Sequence, residues 1–242
     1  MTTLIPSLIP SLIPSFIPKI DYDFNNTIYF FIFSLYIRLF YFILYNILYV
    51  NNRFRSYDKN RKQYIVKNIT KSINLGALSL YSMPYIIYPA VVYYKWDNNI
   101  MHICGLFYSA NDFVALIYVN NLSKTTKNHH KVTVFLSFLA LGIDYTQSTL
   151  GRMLFVYTLS SSYAYLVNYY LGTRFLYDKK ETLQMKKNAR NIYGTTLICN
   201  WTWHICWSVI NYNLIGIQHL IYFFIMYYVV KDDIILFTWL CN

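Results

Sequence analysis

Residues 108–136 read YSANDFVALIYVNNLSKTTKNHHKVTVFL, and they decide the fold prediction because ionisable side chains stand among apolar ones. Asp112 lies inside a first apolar run, and His129 and His130 stand where a second run begins. A short basic segment separates the two runs. Ionisable groups inside membrane segments are costly and usually functional. We therefore predict two neighbouring membrane spans with a polar site between them.

The composition extends this prediction to the whole chain. Of the 242 residues, 56% are hydrophobic and only 13% are charged, whereas soluble domains average about 25% charged residues. Such a chain has too little polar surface to face water on all sides, and its charges cluster between long apolar segments. The expected fold is an all-α membrane protein with helical spans of roughly 20 residues.

The apolar segments predict seven transmembrane helices, a leading helix followed by a six-helix bundle. The predicted spans are residues 27–50, 73–94, 102–118, 130–144, 153–171, 192–212 and 214–230. The segments between them alternate between rich and poor in Lys and Arg, and residues 51–72 are the richest. Because basic loops stay in the cytosol, this alternation predicts a lumenal N-terminus and a cytosolic C-terminus.

The chain divides into four predicted parts. These are a Pro-repeat, low-complexity tail (1–26), the leading helix (27–50), the six-helix domain (62–230) and a short C-terminal tail (231–242) that either extends the last helix or lies at the membrane interface. The LIPS repeat of the first part places prolines at regular intervals, which predicts an extended segment rather than a helix. Within the second span, Pro84 and Pro89 predict a kink.

The distribution of charge and the spacing of the cysteines argue against nucleic-acid and metal binding. A net charge of +11 would suggest nucleic-acid binding in a soluble protein. Here the basic residues fall in loops between apolar runs, so membrane topology explains them and no nucleic-acid partner is expected. Cys199, His204 and Cys206 match no standard zinc spacing, so no metal is expected. The expected partner is a membrane lipid, and a homodimer is kept open.

Two segments in the first half of the chain resemble the TLC-domain family, the multi-span lipid proteins that include ceramide synthases and TRAM-like translocon factors. Residues 61–80 (RKQYIVKNITKSINLGALSL) resemble the basic stretch that leads into the first TLC helix. Tyr108 and Asp112 resemble a tyrosine and an aspartate on the third span of that family. The resemblance covers residues 62–230 and implies a six-helix TLC-type bundle.

Two further segments carry the same resemblance. Residues 122–134 (LSKTTKNHHKVTV) are similar to the family's short loop and paired histidines, with Thr133 following them. Residues 159–171 (LSSSYAYLVNYYL) are similar to a segment of small hydroxyl residues and an asparagine, here Ser161 and Asn168. The resemblance implies that Thr133, Ser161 and Asn168, together with Tyr108, contact a lipid in a central cavity.

The function implied by the resemblance is lipid homeostasis in the endoplasmic reticulum or a related endomembrane, by binding, sensing or transporting a lipid. One alternative is a ceramide-synthase-like N-acyltransferase with His129 or His130 as base and Asp112 as the orienting carboxylate. Acyl-CoA would be its co-substrate, and no other cofactor is expected. Ceramide synthases carry an aspartate pair where this chain has no acidic residue between Asp144 and Asp178, which favours lipid binding. The other alternative is a translocon-associated factor.

The immediate surroundings of the histidines follow from helix geometry. Adjacent helical side chains point about 100° apart, so one histidine should face the cavity while the other packs against a neighbouring span. Asp112 is expected to be the only acidic side chain within reach of His129 and His130. For Asp112, the structural alternative to this contact is an ion pair with Arg38 or Arg152.

Overall fold

The computed structural model describes residues 24–242, which form helices joined by short connections. No strand occurs in that range, which confirms the predicted all-α class. The helices are α1 (Phe24–Leu48), α2 (Asn52–Ser56), α3 (Lys59–Ser82), α4 (Tyr88–Tyr93), α5 (Asn98–Tyr118), α6 (Lys124–Ala140), α7 (Thr149–Tyr163), α8 (Tyr165–Thr173), α9 (Lys179–Ile210) and α10 (Ile217–Cys241). The predicted extended conformation of the LIPS repeat concerns residues outside the described range.

Three helical segments are long and apolar enough to cross a membrane, which is consistent with an integral membrane protein. They are Asn25–Leu48, Lys59–Tyr93 and Asn98–Tyr118. These segments overlap the first three predicted spans. The other four predicted spans fall on α6, on α7 with α8, on α9 and on α10. For those helices, membrane crossing stays a prediction.

Helix α3 begins earlier than the hydropathy pattern predicts. Asp58 caps its first turn by accepting a hydrogen bond from the backbone N–H of Arg61, and this bond lowers the pKa of the Asp58 carboxyl. Lys67 and Lys71 therefore lie within the helix, and both are buried. The prediction that residues 51–72 form a loop between spans is wrong, because α2 covers Asn52–Ser56 and α3 begins at Lys59. Hydropathy counts these charges without showing that they point into the protein.

The helical ladder of the second span changes at Met83–Ile87, within the region where the prolines predict a kink. There the chain forms a wider π-helical turn that includes Pro84. Because proline has no N–H, the regular α-helical bonding cannot continue through it. The chain resumes as α4, which ends where Tyr94 adopts a left-handed conformation with φ 52°.

Helix α10 extends through the segment predicted as a C-terminal tail. It covers Ile217–Cys241, so of the two predicted placements of residues 231–242 the continuation of the last helix is the one observed. The apolar sequence IILFTWL at residues 234–240 continues the helix beyond the charged triplet that precedes it. Within that triplet Asp233 is buried. The charges mark a polar position inside the helix rather than its end.

Helix α3 packs against α1, α5, α7 and α8, with its most extensive contact on α8. A Cβ added at Gly172 would lie 2.6 Å from Cγ1 of Ile69 and 3.1 Å from the carbonyl oxygen of Ile65, so glycine permits this close approach. Helix α6 packs against both α5 and α10. Helix α3, the start of α6, α8 and the second half of α10 thus come together around one space.

Candidate functional site

A cavity of about 430 Å³ lies between α3, the start of α6, the α7–α8 segment and the second half of α10. Apolar side chains form part of its wall, among them Leu75, Val167, Leu171, Leu236 and Trp239. Both histidines of the adjacent pair also line it. A space of this size, with apolar walls and a few converging polar groups, has the properties of a small-molecule site.

His130 is joined to a buried carboxylate on α5. Its Nδ1 lies 2.9 Å from Oδ1 of Asp112, and Asp112 has no exposed surface. The ammonium group of Lys71 on α3 donates a hydrogen bond to the same carboxylate oxygen. Asp112 therefore holds α3, α5 and α6 together, and the charge of Lys71 offsets its own. The predicted contact between Asp112 and the histidine pair is present.

The predicted arginine partners of Asp112 are wrong. The guanidinium of Arg38 lies 4.6 Å from the ring centre of Tyr118. Nε of Arg152 donates a hydrogen bond of 3.0 Å to a backbone carbonyl in the connection before α7. Lys71 takes their place because it extends from α3, the helix beside α5. The error follows from assigning Lys71 to a loop.

His129 has other partners, which lie on α10. Its Nδ1 is 3.4 Å from Oδ2 of Asp232 and 4.0 Å from Oδ1 of Asp233. Asp233 also accepts hydrogen bonds from the hydroxyls of Tyr157 (3.0 Å) and Tyr193 (2.8 Å). The expectation that one histidine packs outside the cavity is wrong. Both rings line it, and each contacts a carboxylate on a different helix.

Asp232 and Asp233 are the functional candidates that the sequence prediction missed. The sequence prediction assigned both aspartates to the C-terminal tail. Its expectation that Asp112 is the only acidic residue within reach of the histidines is wrong, because His129 lies beside Asp232 and Asp233. A signal was available, since two adjacent carboxylates stand inside an apolar run of helical length. Carboxylates in such a run need a partner, and His129 is that partner for Asp232.

The predicted lipid-contacting residues fall into two groups. Tyr108, Ser161 and Asn168 line the same cavity as the histidines. Thr133 does not: its hydroxyl donates a hydrogen bond of 3.1 Å to the carbonyl oxygen of His129, one turn earlier in α6. Thr133 borders a separate cavity of about 30 Å³, which Tyr108 also lines. That volume suits water rather than a lipid chain.

Four buried atoms of the site form no hydrogen bond within the range 24–242: Oδ2 of Asp112, Nδ1 of His129 and both ring nitrogens of His130. The two Nδ1 atoms lie beside carboxylate oxygens, whereas Nε2 of His130 has no such neighbour in that range. Most buried polar atoms in proteins have a partner. Because His130 lines the cavity, its Nε2 is a candidate contact for a polar group bound there.

A metal ion fits this cluster poorly. Asp112, His129 and His130 each offer a ligand atom, and these atoms lie within 4.8 Å of one another. Two imidazoles and a carboxylate are a donor set used by zinc and iron. The ammonium of Lys71 is bonded to the same carboxylate, however, and it places a positive charge beside the position a cation would take. The cluster is therefore better suited to hydrogen bonding and proton transfer.

The cysteines are not gathered into a second centre. Cys199 and Cys206 are exposed, whereas His204 is buried. Nδ1 of His204 lies 2.8 Å from the carbonyl oxygen of Asn200, and Nε2 lies 3.2 Å from the hydroxyl of Tyr222. Both ring nitrogens are thus occupied by neighbouring polar groups, and His204 has a packing role between α9 and α10.

Comparisons with known proteins do not extend this description. No protein-family model matches the chain, and no curated protein or solved structure matches it. The resemblance to the TLC-domain family therefore depends on the four sequence segments alone and stays a prediction.

Proposed function

We propose that this chain is a multi-pass membrane protein that receives the polar end of a lipid in the cavity lined by His129 and His130, in order to bind, sense or transport it. The proposal includes the seven spans, the lumenal N-terminus, an endoplasmic-reticulum or related membrane and membership of the TLC-domain family. The observation that carries it is a cavity of about 430 Å³ with apolar walls and converging polar groups. Its wall includes α3 and, through Tyr108, α5, and both helices are apolar enough to cross a membrane.

The chemistry of the cavity wall suits an amphiphile. Tyr108, Ser161 and Asn168 provide hydroxyl and amide groups, and His130 provides a free ring nitrogen. These groups can donate to or accept from a polar headgroup. The apolar part of the wall, which includes Val167, can contact the start of a hydrocarbon chain. A purely polar solute would leave that part of the wall unused.

A second function, N-acyl transfer, is favoured by the pairing of His130 with Asp112. The distance of 2.9 Å between Nδ1 of His130 and Oδ1 of Asp112 places a carboxylate close enough to orient a base. The nitrogen of an amine would attack the thioester carbonyl of an acyl-CoA while Nε2 of His130 takes the amine proton. A C–N bond forms, the C–S bond breaks, and the thiolate takes the proton from His130. The products are an amide and free coenzyme A thiol.

Lipid binding is tested by filling the cavity. Asn168→Trp introduces a large ring into the wall, and Leu80→Trp is the matched control because Leu80 is 79% exposed. Native mass spectrometry of the purified full chain in detergent should show bound lipid in the wild type and in Leu80→Trp. We expect the lipid adduct to be lost in Asn168→Trp. Equal lipid occupancy in all three proteins would contradict the proposal.

Acyl transfer is tested separately with a long-chain base and acyl-CoA in microsomes that contain the full chain. If the second function holds, amide formation and free thiol appear in equal amounts and both disappear in His130→Ala. An absence of product with every acyl chain length, in protein that still binds lipid, would exclude acyl transfer and leave the binding function.

A further inference from the structure

Lys67 is a buried cation that forms no ion pair with any residue of the range 24–242. It lies on α3 one turn before Lys71, lines the cavity and has only 5% of its surface exposed. No carboxylate lies within ion-pair distance of its ammonium in the described part of the chain. Its ammonium lies 5.8 Å from the centre of the Tyr64 ring. A buried charge that lacks a partner is costly, so a bound anion would stabilise it.

Arg174 is a second cation at the same cavity, and aromatic rings fix its position. Its guanidinium carbon lies 4.5 Å from the ring centre of Trp239, 4.7 Å from that of Phe175 and 6.0 Å from that of Tyr64. Stacking on rings leaves the N–H donors of an arginine free. Lys67 and Arg174 both flank Tyr64, so one ligand can reach both cations.

The other charges of the cavity are already paired. Lys71 bonds to Asp112, and Asp232 lies beside His129 and accepts a hydrogen bond of 3.2 Å from the hydroxyl of Thr126. Asp233 is held by two tyrosine hydroxyls. Among these groups, Lys67 and Arg174 are therefore the positions where an incoming anion gains new contacts without displacing an existing ion pair.

We propose that Lys67 and Arg174 bind the phosphate group of a phosphate-bearing lipid, with its apolar part along Val167, Leu171 and Trp239. This inference rests on the proposed lipid-binding function and narrows its ligand. Arginine binds phosphate oxygens through two parallel N–H donors, and lysine binds them as a point charge. A phosphate at this position would neutralise the charge of Lys67.

The test uses purified full-length chain in neutral detergent and photoreactive lipids with identical acyl chains. Phosphatidic acid carries the phosphate, diacylglycerol lacks it, and a fatty acid replaces it with a carboxylate. We expect phosphatidic acid to label the wild type at least about tenfold more than either other lipid, which is the effect of one or two charge-assisted hydrogen bonds. Lys67→Gln and Arg174→Gln should each lose most of this preference.

Lys62→Gln is the matched control, because Lys62 is on the same helix but does not line the cavity. It should keep the preference for phosphatidic acid. Gel filtration identifies any variant that fails to fold, and Lys67→Met, which removes the charge but keeps an unbranched side chain, then replaces Lys67→Gln.

The outcomes separate this inference from the function on which it rests. Equal labelling by phosphatidic acid, diacylglycerol and fatty acid would overturn phosphate recognition while retaining lipid binding. A preference for phosphatidic acid that survives both cavity variants would overturn the assignment to Lys67 and Arg174. If inorganic phosphate alone abolishes labelling by phosphatidic acid, the site binds free phosphate, and the proposal that its ligand is a lipid is overturned. No labelling by any lipid would overturn the proposed function itself.

Discussion

Lys71 and Lys67 lie one helical turn apart on α3, and both are buried beside the same cavity. Lys71 bonds to Asp112, which His130 also contacts, whereas Lys67 has no carboxylate within ion-pair distance among residues 24–242. The difference separates two uses of buried charge. The first lysine is compensated within the protein and holds helices together, while the second is left for a ligand.

The largest expected effect comes from removing the shared carboxylate. Asp112→Ala leaves Lys71 buried without a counter-charge and takes away the partner of His130. We expect the free energy of unfolding to fall by about 3–5 kcal/mol. Thermal unfolding in detergent measures the change, and Asp144→Ala serves as the control because Asp144 is exposed.

A double variant sharpens this prediction. Lys71→Met in the Asp112→Ala background removes the unpaired cation, so it should recover part of the lost stability. An Asp112→Ala protein that unfolds at the wild-type temperature would show that the ion pair does not hold α3 and α5 together.

The two lysines should respond to the same substitution with opposite signs. Lys71→Met should lower the free energy of unfolding by about 1.5–3 kcal/mol, because Asp112 loses a charged hydrogen bond but keeps His130. Lys67→Met should raise it by about 1–3 kcal/mol in delipidated protein, because an unpaired polar group no longer has to be buried. Thermal unfolding of both variants after delipidation is the measurement. If both substitutions destabilise the protein equally, the distinction between the two charges fails.

Substitutions of the two histidines should differ less in their effect on the free energy of unfolding than substitutions of the two lysines. His130→Ala removes a contact of 2.9 Å with a carboxylate that has no exposed surface, and we expect a loss of about 1–3 kcal/mol. His129 lies 3.4 Å from Asp232, and Asp232 keeps its bond from Thr126, so His129→Ala should cost about 1 kcal/mol. Chemical denaturation at one pH compares the two variants. A larger loss of unfolding free energy for His129→Ala than for His130→Ala would contradict this prediction.

The sequence was sufficient for the helical class and for the three helical segments that are long and apolar enough to cross a membrane, because apolar length carries that information. It was insufficient for the start of α3. Lys67 and Lys71 lower the hydropathy of residues 59–72 although both point into the protein. For the same reason, the charges at residues 231–233 left it open whether residues 231–242 continue the last helix, as they do in α10. A hydropathy pattern cannot distinguish a charge in a loop from a charge compensated by another helix.

The candidate site was predicted where partners are near in sequence and missed where they come from distant helices. Asp112 and the histidine pair are separated by one turn between helices, and their contact could be expected. Asp232 lies about a hundred residues further on, and only the packing of α10 against α6 brings it to His129. Thr133 follows the histidines by one helical turn on the same face of α6, and at that level the structure has the smaller cavity of about 30 Å³.

The most direct test is an experimental density map of the full chain in a lipid nanodisc, obtained by electron cryomicroscopy. The account predicts elongated density in the cavity, with its polar end near Lys67, Arg174 and His130 and its apolar end along Val167. A map in which these side chains close on one another with no density between them would contradict the central claim that this cavity receives a lipid.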